Sequence, residues 1–193
     1  LQAMSRRQIK CVIVGDETVG KTSLLLKHST GSFPDKPIPS VLDVYSTEMS
    51  VDDNVVDFSV WDTAGQEEND RAHFSQADVF IVCFSTISPA SADSVERKWV
   101  PEIRHKRPDA PILLLGTKID LREDGPTLCE LKSQNIVPVS PSLGLKLSFR
   151  IKAVQYNESS ARKDIGVAQI FNDAVRAVMN PKPPQKEDKC SLQ

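Results

Sequence analysis

Residues 15–22 read Gly15-Asp16-Glu17-Thr18-Val19-Gly20-Lys21-Thr22, the spacing G-x-x-x-x-G-K-[ST] of a phosphate-binding loop, or P-loop. An apolar run at 11–14 precedes the loop, and an apolar helical pattern at 24–26 follows it. A short loop between a strand and a helix directs successive backbone N–H groups toward one anion, and the helix N-terminus adds its positive end. The stretch therefore predicts a phosphate site in which Lys21 reaches the outer phosphates and the Thr22 hydroxyl coordinates Mg²⁺.

The whole chain has the size and composition of one domain with a tail. It has 193 residues, 39% of them hydrophobic and 26% charged, with a net charge of −2. This balance gives no support for a nucleic-acid partner, and no apolar run approaches the roughly 18 residues of a membrane span. The four cysteines form no C-x-x-C pair, which favours a reducing cytosol over a zinc site. Cys11 and Cys83 lie in apolar strand patterns, where a buried thiol is expected to act as a small hydrophobe. The three histidines have no paired acid or nucleophile and are expected to be solvated.

Strand and helix patterns alternate along the chain. Buried strands are predicted at 9–14, 79–84, 112–115 and about 153–158, and a hairpin at 47–51 and 55–61. Helices are predicted from Lys21 to about Thr30, around the apolar positions 95, 99 and 103, near 128–134, and over the apolar stripe 167–178. Right-handed crossovers then give an α/β fold: a mainly parallel six-stranded sheet with one antiparallel strand, helices on both faces, and ligands at the carboxyl ends of the strands.

A second motif predicts which nucleotide base the phosphate site accompanies. A P-loop alone leaves kinases, ATPases and GTPases open. Thr117-Lys118-Ile119-Asp120 follows directly on a predicted strand, so it lies at the same sheet edge as the P-loop. The Asp120 carboxylate can accept two hydrogen bonds from guanine N1–H and its 2-amino group, whereas adenine has no matching pair of donors. Lys118 can lay its aliphatic stem along the base. The pair of motifs predicts a guanine nucleotide.

Further residues have the chemistry of a phosphate-controlled switch. Asp62 ends a strand and would hold Mg²⁺ through water. Gly65 would let its N–H approach the terminal phosphate, and Gln66 would orient an attacking water. Ser40, in a loop with three prolines between 33 and 40, could complete the Mg²⁺ shell while a third phosphate is present. Loops ordered by one phosphate and released on its loss are the physical basis of a switch.

Several longer motifs carry a family resemblance over residues 9–193. They are Trp61-Asp62-Thr63-Ala64-Gly65-Gln66-Glu67, Ser88-Pro89-Ala90-Ser91, Lys98-Trp99-Val100-Pro101-Glu102, an insertion after Asp120-Leu121-Arg122, and Ala174-Val175-Arg176-Ala177-Val178 before a proline-rich tail. With the P-loop and the base motif, they make the chain resemble the Ras-like small GTPases, and within them the Rho/Rac branch. The resemblance implies a P-loop GTPase domain with a Rho-type insertion.

The resemblance also assigns roles to individual residues. It implies catalysis by Gln66 and Lys21, an effector surface at Leu42, Asp43 and Tyr45, and a monomeric protein. Mg²⁺ would be held by Thr22, Ser40 and Asp62. GTP or GDP would be bound by Gly15, Asp16, Glu17, Thr18, Val19, Gly20, Lys21, Thr22, Ser23, Phe33, Ser40, Asp62, Gly65, Thr117, Lys118, Asp120, Ser160, Ala161 and Arg162.

The domain boundaries follow from the same comparison of motifs. Residues 1–8 are expected to be an N-terminal extension, in which Leu1-Gln2-Ala3 ahead of Met4 reads as an addition left by cloning. The GTPase domain is expected at 9–180, with the insertion at about 122–138. Residues 181–193 are expected to form a flexible tail that ends in a lipidation motif.

The chain departs from the family pattern around the phosphates. Glu17 stands where the family usually has glycine, and a carboxylate there crowds and repels the terminal phosphate, so hydrolysis is expected to be slow. Pro37 replaces a tyrosine, Ser40 a threonine, and the segment from Asn69 to Gln76 is shorter and less apolar than in relatives. In the family, this surface is contacted by exchange factors, GTPase-activating proteins and the dissociation inhibitor. The changes therefore make those contacts doubtful in this chain.

The last four residues, Cys190-Ser191-Leu192-Gln193, fit the prenylation motif C-a-a-X, with a terminal Gln that favours farnesyl. The protein is therefore expected in the cytoplasm and on the cytoplasmic face of membranes through Cys190. One lipid chain gives only marginal membrane binding.

The function expected is a Mg²⁺-dependent GTP/GDP switch of the Rho/Rac kind, which hydrolyses GTP slowly and recruits effectors in its GTP state, in actin and cytoskeletal signalling. A non-cycling, GTPase-deficient module that binds nucleotide and effectors is the alternative. Gln66 argues for the enzyme, and Glu17 argues for the module. A P-loop kinase or ATPase would need an adenine pocket, and Asp120 argues against an adenine pocket.

Overall fold

The computed structural model describes residues 6–34, 44–63 and 73–181. Their centre is a six-stranded sheet of order β2-β3-β1-β4-β5-β6. Only the β2–β3 pair is antiparallel; the other neighbours run parallel. The predicted α/β fold with one antiparallel strand is confirmed. The strands are β1 Arg7–Val14, β2 Tyr45–Val51, β3 Asn54–Asp62, β4 Val79–Ser85, β5 Ile112–Thr117 and β6 Gln155–Glu158.

Helices lie on both faces of this sheet. None of the described helices is long and apolar enough to cross a membrane. The α-helices are α1 Lys21–Thr30, α2 Pro89–Ser94, α3 Val100–Lys106, α4 Gly125–Ser133, α5 Pro141–Arg150 and α6 Val167–Met179, with a π-helical turn at Val95–Trp99 and a 3₁₀ turn at Ile119–Leu121.

The apolar runs form two core layers, one on each face of the sheet. α1 and α6 cover one face and α2, α3 and α5 the other. All seven residues of β4 are buried, as expected for a parallel strand covered on both sides. The predicted stripe of α6 is confirmed, since Ile170 and Phe171 are fully buried. Each such side chain stabilises the fold by about 1.5–3 kcal/mol.

Local sequence signals explain where prediction succeeded and failed. α1 begins at Lys21 and ends at Thr30 as predicted, because Gly31 adopts the left-handed conformation that stops it. The insertion helix α4 begins at Gly125, three residues before the predicted start, because the Asp124 carboxylate caps the N–H of Thr127 at 3.0 Å. Helix α5 was not predicted, although Ser140 caps it in the same way.

Two further side-chain predictions have different outcomes. Cys11 and Cys83 are buried, and burial raises the pKa of both thiols, which confirms that they act as small hydrophobes. The prediction that His28 is solvated is wrong. Its ring stacks on Phe171 with the centroids 4.2 Å apart, and burial lowers its pKa.

A polar cluster fixes the insertion and α5 against β6. Arg122 donates two hydrogen bonds to the Glu158 carboxylate, at 3.0 and 2.5 Å, and a third to the carbonyl of Val139 at 3.1 Å. The hydroxyl of Tyr156 donates to Glu158 at 2.7 Å. Burial raises the pKa of Glu158, but the hydrogen bonds from Arg122 and Tyr156 outweigh it and lower the pKa overall. The tyrosine therefore has a fixed position.

Replacement of Gly144, inside α5, tests this packing. A Cβ at Gly144 would lie 2.1 Å from the Tyr156 hydroxyl oxygen and 2.3 Å from its Cζ. Since Tyr156 is held by Glu158, we expect Gly144→Ala to lower the free energy of unfolding by about 1–3 kcal/mol, measured by urea denaturation.

The matched control is Gly125→Ala in α4, where a Cβ would meet nothing within 4 Å. Alanine is the better helix former by roughly 1 kcal/mol, so this variant is expected to be neutral or stabilised. Equal effects at the two positions would contradict the packing described for Tyr156.

Candidate functional site

The predicted nucleotide-site residues that the structure describes in the three loops and at the end of β3 converge at one edge of the sheet. The P-loop follows β1, Asp62 ends β3, Thr117 ends β5, and Ser159 follows β6. β1, β3, β5 and β6 run in the same direction, so their carboxyl ends all open on this edge. Ligands of open α/β sheets bind at such an edge.

The start of the P-loop requires glycine on two grounds. Gly15 has a φ of +147°, which side chains rarely adopt, and a Cβ there would lie 2.3 Å from the carbonyl oxygen of Cys83 on β4. The loop therefore lies directly on the neighbouring strand. Beyond it, Glu17 and Thr18 are exposed, while Val19 is buried.

Lys21 supplies a buried cation at the base of the loop. Its side chain is 6% exposed, and its ammonium donates to the carbonyl oxygens of Gly15 at 2.8 Å and Asp16 at 2.9 Å. Burial lowers the pKa of Lys21, and the negative charges of Asp62, Asp16 and Glu17 oppose that effect. A desolvated ammonium bonded to neutral carbonyls is well placed to attract a phosphate.

Thr22 and Asp62 bring two oxygen ligands together. The Thr22 hydroxyl donates to Asp62 Oδ2 at 2.7 Å, and Asp62 is 8% exposed. Mg²⁺ is commonly bound by one or two protein oxygens together with substrate phosphates and waters, so this pair suits it. Within the three described ranges, no group of three or more His, Cys, Asp or Glu side chains could hold a metal ion.

The base-reading motif is joined to the P-loop. Thr117 is 4% exposed, and its hydroxyl shares its one proton between the Val19 carbonyl at 2.5 Å and the Phe84 carbonyl at 3.0 Å. Lys118 follows with a φ of +58°, and its Cε would lie 3.8 Å from a Cβ at Gly20. Burial lowers the pKa of Lys118, with Asp120 opposing it. The lysine stem therefore lies against the P-loop, with Asp120 beside it.

The loop after β6 is held in the same assembly. The Ser159 N–H donates to the Gly116 carbonyl at 2.8 Å, and the Ile119 N–H donates to the Ser159 carbonyl at 3.2 Å. Ser160 is fully buried, and its backbone N–H and C=O both pair with Ile165. Ala161 and Arg162 lie at the outer end of this closed loop, and Arg162 is exposed. The three loops thus form one bonded unit.

The remaining predicted residues divide into two groups. Ser23 is half-buried in the first turn of α1, Phe33 is 38% exposed, and Tyr45 packs partly against the core. Their predicted contacts stay predictions. Six predicted residues lie outside the described ranges: Ser40, Leu42, Asp43, Gly65, Gln66 and Cys190.

Sequence reasoning missed Thr86, which supports the base motif. Thr86 is fully buried just after β4, and its hydroxyl donates to the Thr117 carbonyl at 2.9 Å. Its carbonyl accepts from the Val139 N–H at 2.7 Å, which connects the insertion to the site. The polar pair Ser85-Thr86 directly after the apolar run 79–84 was the available signal.

A comparison with known proteins adds an independent observation. The model of the family described as Ras family matches residues 10–180. The matched range includes the P-loop, Asp62, the base motif and the loop after β6.

Thr117→Val tests the bond between the two nucleotide loops. Valine keeps the shape but leaves the Val19 and Phe84 carbonyls without this donor. A buried polar group left unpaired costs about 1–3 kcal/mol, so we expect that loss in the free energy of unfolding, measured by urea denaturation.

Thr30→Val is the matched control, since Thr30 also donates to a backbone carbonyl, that of Leu26 at 2.8 Å, but is exposed. Water can replace its hydroxyl, so a loss below about 0.5 kcal/mol is expected. A loss at Thr117 no larger than at Thr30 would show that the buried bond is unimportant.

Proposed function

The chain belongs to the Ras family, and from this premise we propose that it is a Rho/Rac-like member, a Mg²⁺-dependent GTP/GDP switch that hydrolyses GTP slowly. The observation that carries the proposal is the Thr117 hydroxyl bond to Val19. It joins a loop suited to phosphate and a motif suited to guanine into one site.

Guanine recognition is assigned to Asp120. Its carboxylate is half-buried beside Lys118, and it can accept from the two donors of the guanine edge. Charge-assisted hydrogen bonds of this kind are about twice as strong as neutral ones. The backbone of Ser160 and Ala161, in a loop closed by the Ser160–Ile165 pairing, is proposed to contact the guanine oxygen.

Phosphate binding is assigned to the P-loop amides and Lys21. Bound Mg²⁺ would supply charge neutralisation at the phosphates, and the protein would hold it directly through the Thr22 hydroxyl and through water from the Asp62 carboxylate. The loop amides and the Lys21 ammonium are already fixed by backbone contacts, so little reorganisation is needed when charge develops. Gln66 is proposed to orient the water.

Two properties beyond nucleotide binding also belong to the proposal. The motifs shared with the Rho/Rac branch support effector binding through Leu42, Asp43 and Tyr45 and a role in actin control. The C-terminal motif supports prenylation of Cys190 and association with the cytoplasmic face of membranes. Exchange factors, GTPase-activating proteins and a dissociation inhibitor are the partners of that branch.

The non-cycling module is the second candidate, and Glu17 favours it. The Glu17 side chain is exposed on the P-loop, and its charge acts on Lys21. A carboxylate near the phosphate-binding ammonium weakens the positive field that stabilises transferring phosphoryl groups. Such a protein would stay in one nucleotide state and act through its effector surface.

Asp120→Ala tests the assignment of guanine binding. Loss of two hydrogen bonds to a charged acceptor is expected to weaken GDP binding about 10²-fold or more, measured by titration calorimetry with Mg²⁺. Asp93→Ala, at an exposed position of α2, should bind GDP like the parent. Unchanged GDP affinity in Asp120→Ala would overturn the proposed function.

Single-turnover GTP hydrolysis with Mg²⁺ separates the two candidate functions. If Glu17 slows turnover, Glu17→Gly should hydrolyse bound GTP at least about 10-fold faster than the parent. Glu17→Gln keeps the bulk and removes the charge, so its rate shows which property matters. Equal rates in the parent and Glu17→Gly would show that Glu17 has no such role, and a parent that hydrolyses no GTP would favour the non-cycling module.

A further inference from the structure

A hydrogen bond joins the P-loop to a helix that carries none of the nucleotide motifs. The indole Nε1–H of Trp99 donates to Asp16 Oδ1 at 2.8 Å, across 83 residues of sequence. We propose that Trp99 is a positioning residue, which holds the P-loop through Asp16 and thereby slows the release of bound nucleotide. The inference rests on the proposed function, since it concerns the same site.

On the loop side, Asp16 connects two contacts. Its carboxylate accepts from Trp99, and its backbone carbonyl accepts from the Lys21 ammonium at 2.9 Å. A displacement of Asp16 therefore also displaces an acceptor of the residue that faces the phosphates. The predicted contact of Asp16 with nucleotide stays a prediction, and the Asp16 carboxylate is bonded to Trp99. Its contribution to the nucleotide is thus assigned to its backbone.

The P-loop needs such external contacts because its backbone is strained. Thr18 has a φ of +60°, a left-handed conformation that a residue with a side chain keeps only when the surroundings hold it. The strand β4 supports the loop at Gly15, and Thr117 holds its Val19 carbonyl. Trp99 holds the part between these two, where the loop amides must point at the phosphates.

On the helix side, Trp99 is the last residue of the π-helical turn Val95–Trp99 between α2 and α3. π-turns are rare and occur frequently at functional sites. Trp99 is 6% exposed, and Val95 and Ile103, four residues away on either side, are fully buried. The ring is therefore fixed by packing in the core, and its N–H donates to the loop from a fixed position.

Packing alone does not account for this arrangement. A buried indole N–H needs an acceptor, and here the acceptor is an ionised carboxylate, which makes the bond charge-assisted. Phenylalanine would fill most of the same space without the N–H. The comparison of Trp99→Phe with the parent therefore measures the hydrogen bond more than the packing.

Release of a fluorescent GDP analogue, chased with excess GDP in Mg²⁺, tests the proposal. We expect Trp99→Phe and Asp16→Ala each to release the analogue about 10-fold faster than the parent. Because both remove the same bond, the double variant should release it no faster than the faster single variant. Arg97→Ala, at an exposed position of the same turn, is the control for the helix and should match the parent.

A spectroscopic readout distinguishes positioning from a structural role. The chain has two tryptophans, so Trp61→Phe leaves Trp99 alone to report. Its emission should shift when EDTA strips the nucleotide, and the shift should vanish when Asp16→Ala is added. Unchanged release rates, additive effects in the double variant, or no emission shift would overturn the inference. A parent that binds no GDP analogue would overturn both the inference and the proposed function.

Discussion

The hydrogen bonds of Thr117 are the constraint on which the site depends. Parallel strands bring the P-loop and the base motif to one edge of the sheet, but the sheet alone does not fix the spacing between the loops. Thr117 fixes it, because one hydroxyl contacts both the Val19 and Phe84 carbonyls from a position at the end of β5. The proposed function assigns phosphate and base to different loops, and a single ligand can bridge two loops only if they keep a constant separation.

A second layer of contacts supports that arrangement from outside. Arg122 and Glu158 connect the chain after the base motif to the strand before the Ser159 loop. Trp99 holds the P-loop from the helix side. Each contact is polar, largely shielded from water and satisfied by a specific partner, so each is costly to break. The rigid surroundings let the loop amides and Lys21 keep an orientation that suits an anion before the anion arrives.

The sequence predicted what depends on local chemistry. The P-loop, the bounds of α1 with its Gly31 stop, the antiparallel hairpin and the base motif are all encoded within a few neighbouring residues, and the fold class followed from their alternation. The bonds of Trp99 to Asp16 and of Thr117 to Val19 join residues 83 and 98 positions apart, so no local pattern encodes them. The start of α4 was misplaced because an Asp124 cap was overlooked, and His28 was misjudged because its partner Phe171 is distant in sequence.

One guanine nucleotide is proposed to engage three loops that the protein holds as a single unit. Hydrogen–deuterium exchange with Mg²⁺ and GDP, compared with Mg²⁺ and ADP, tests that claim most directly. GDP should protect backbone amides in residues 15–22, 117–120 and 159–165 together, and ADP should protect none of them at the same concentration. Equal protection by ADP, or protection by GDP confined to residues 15–22, would contradict the account.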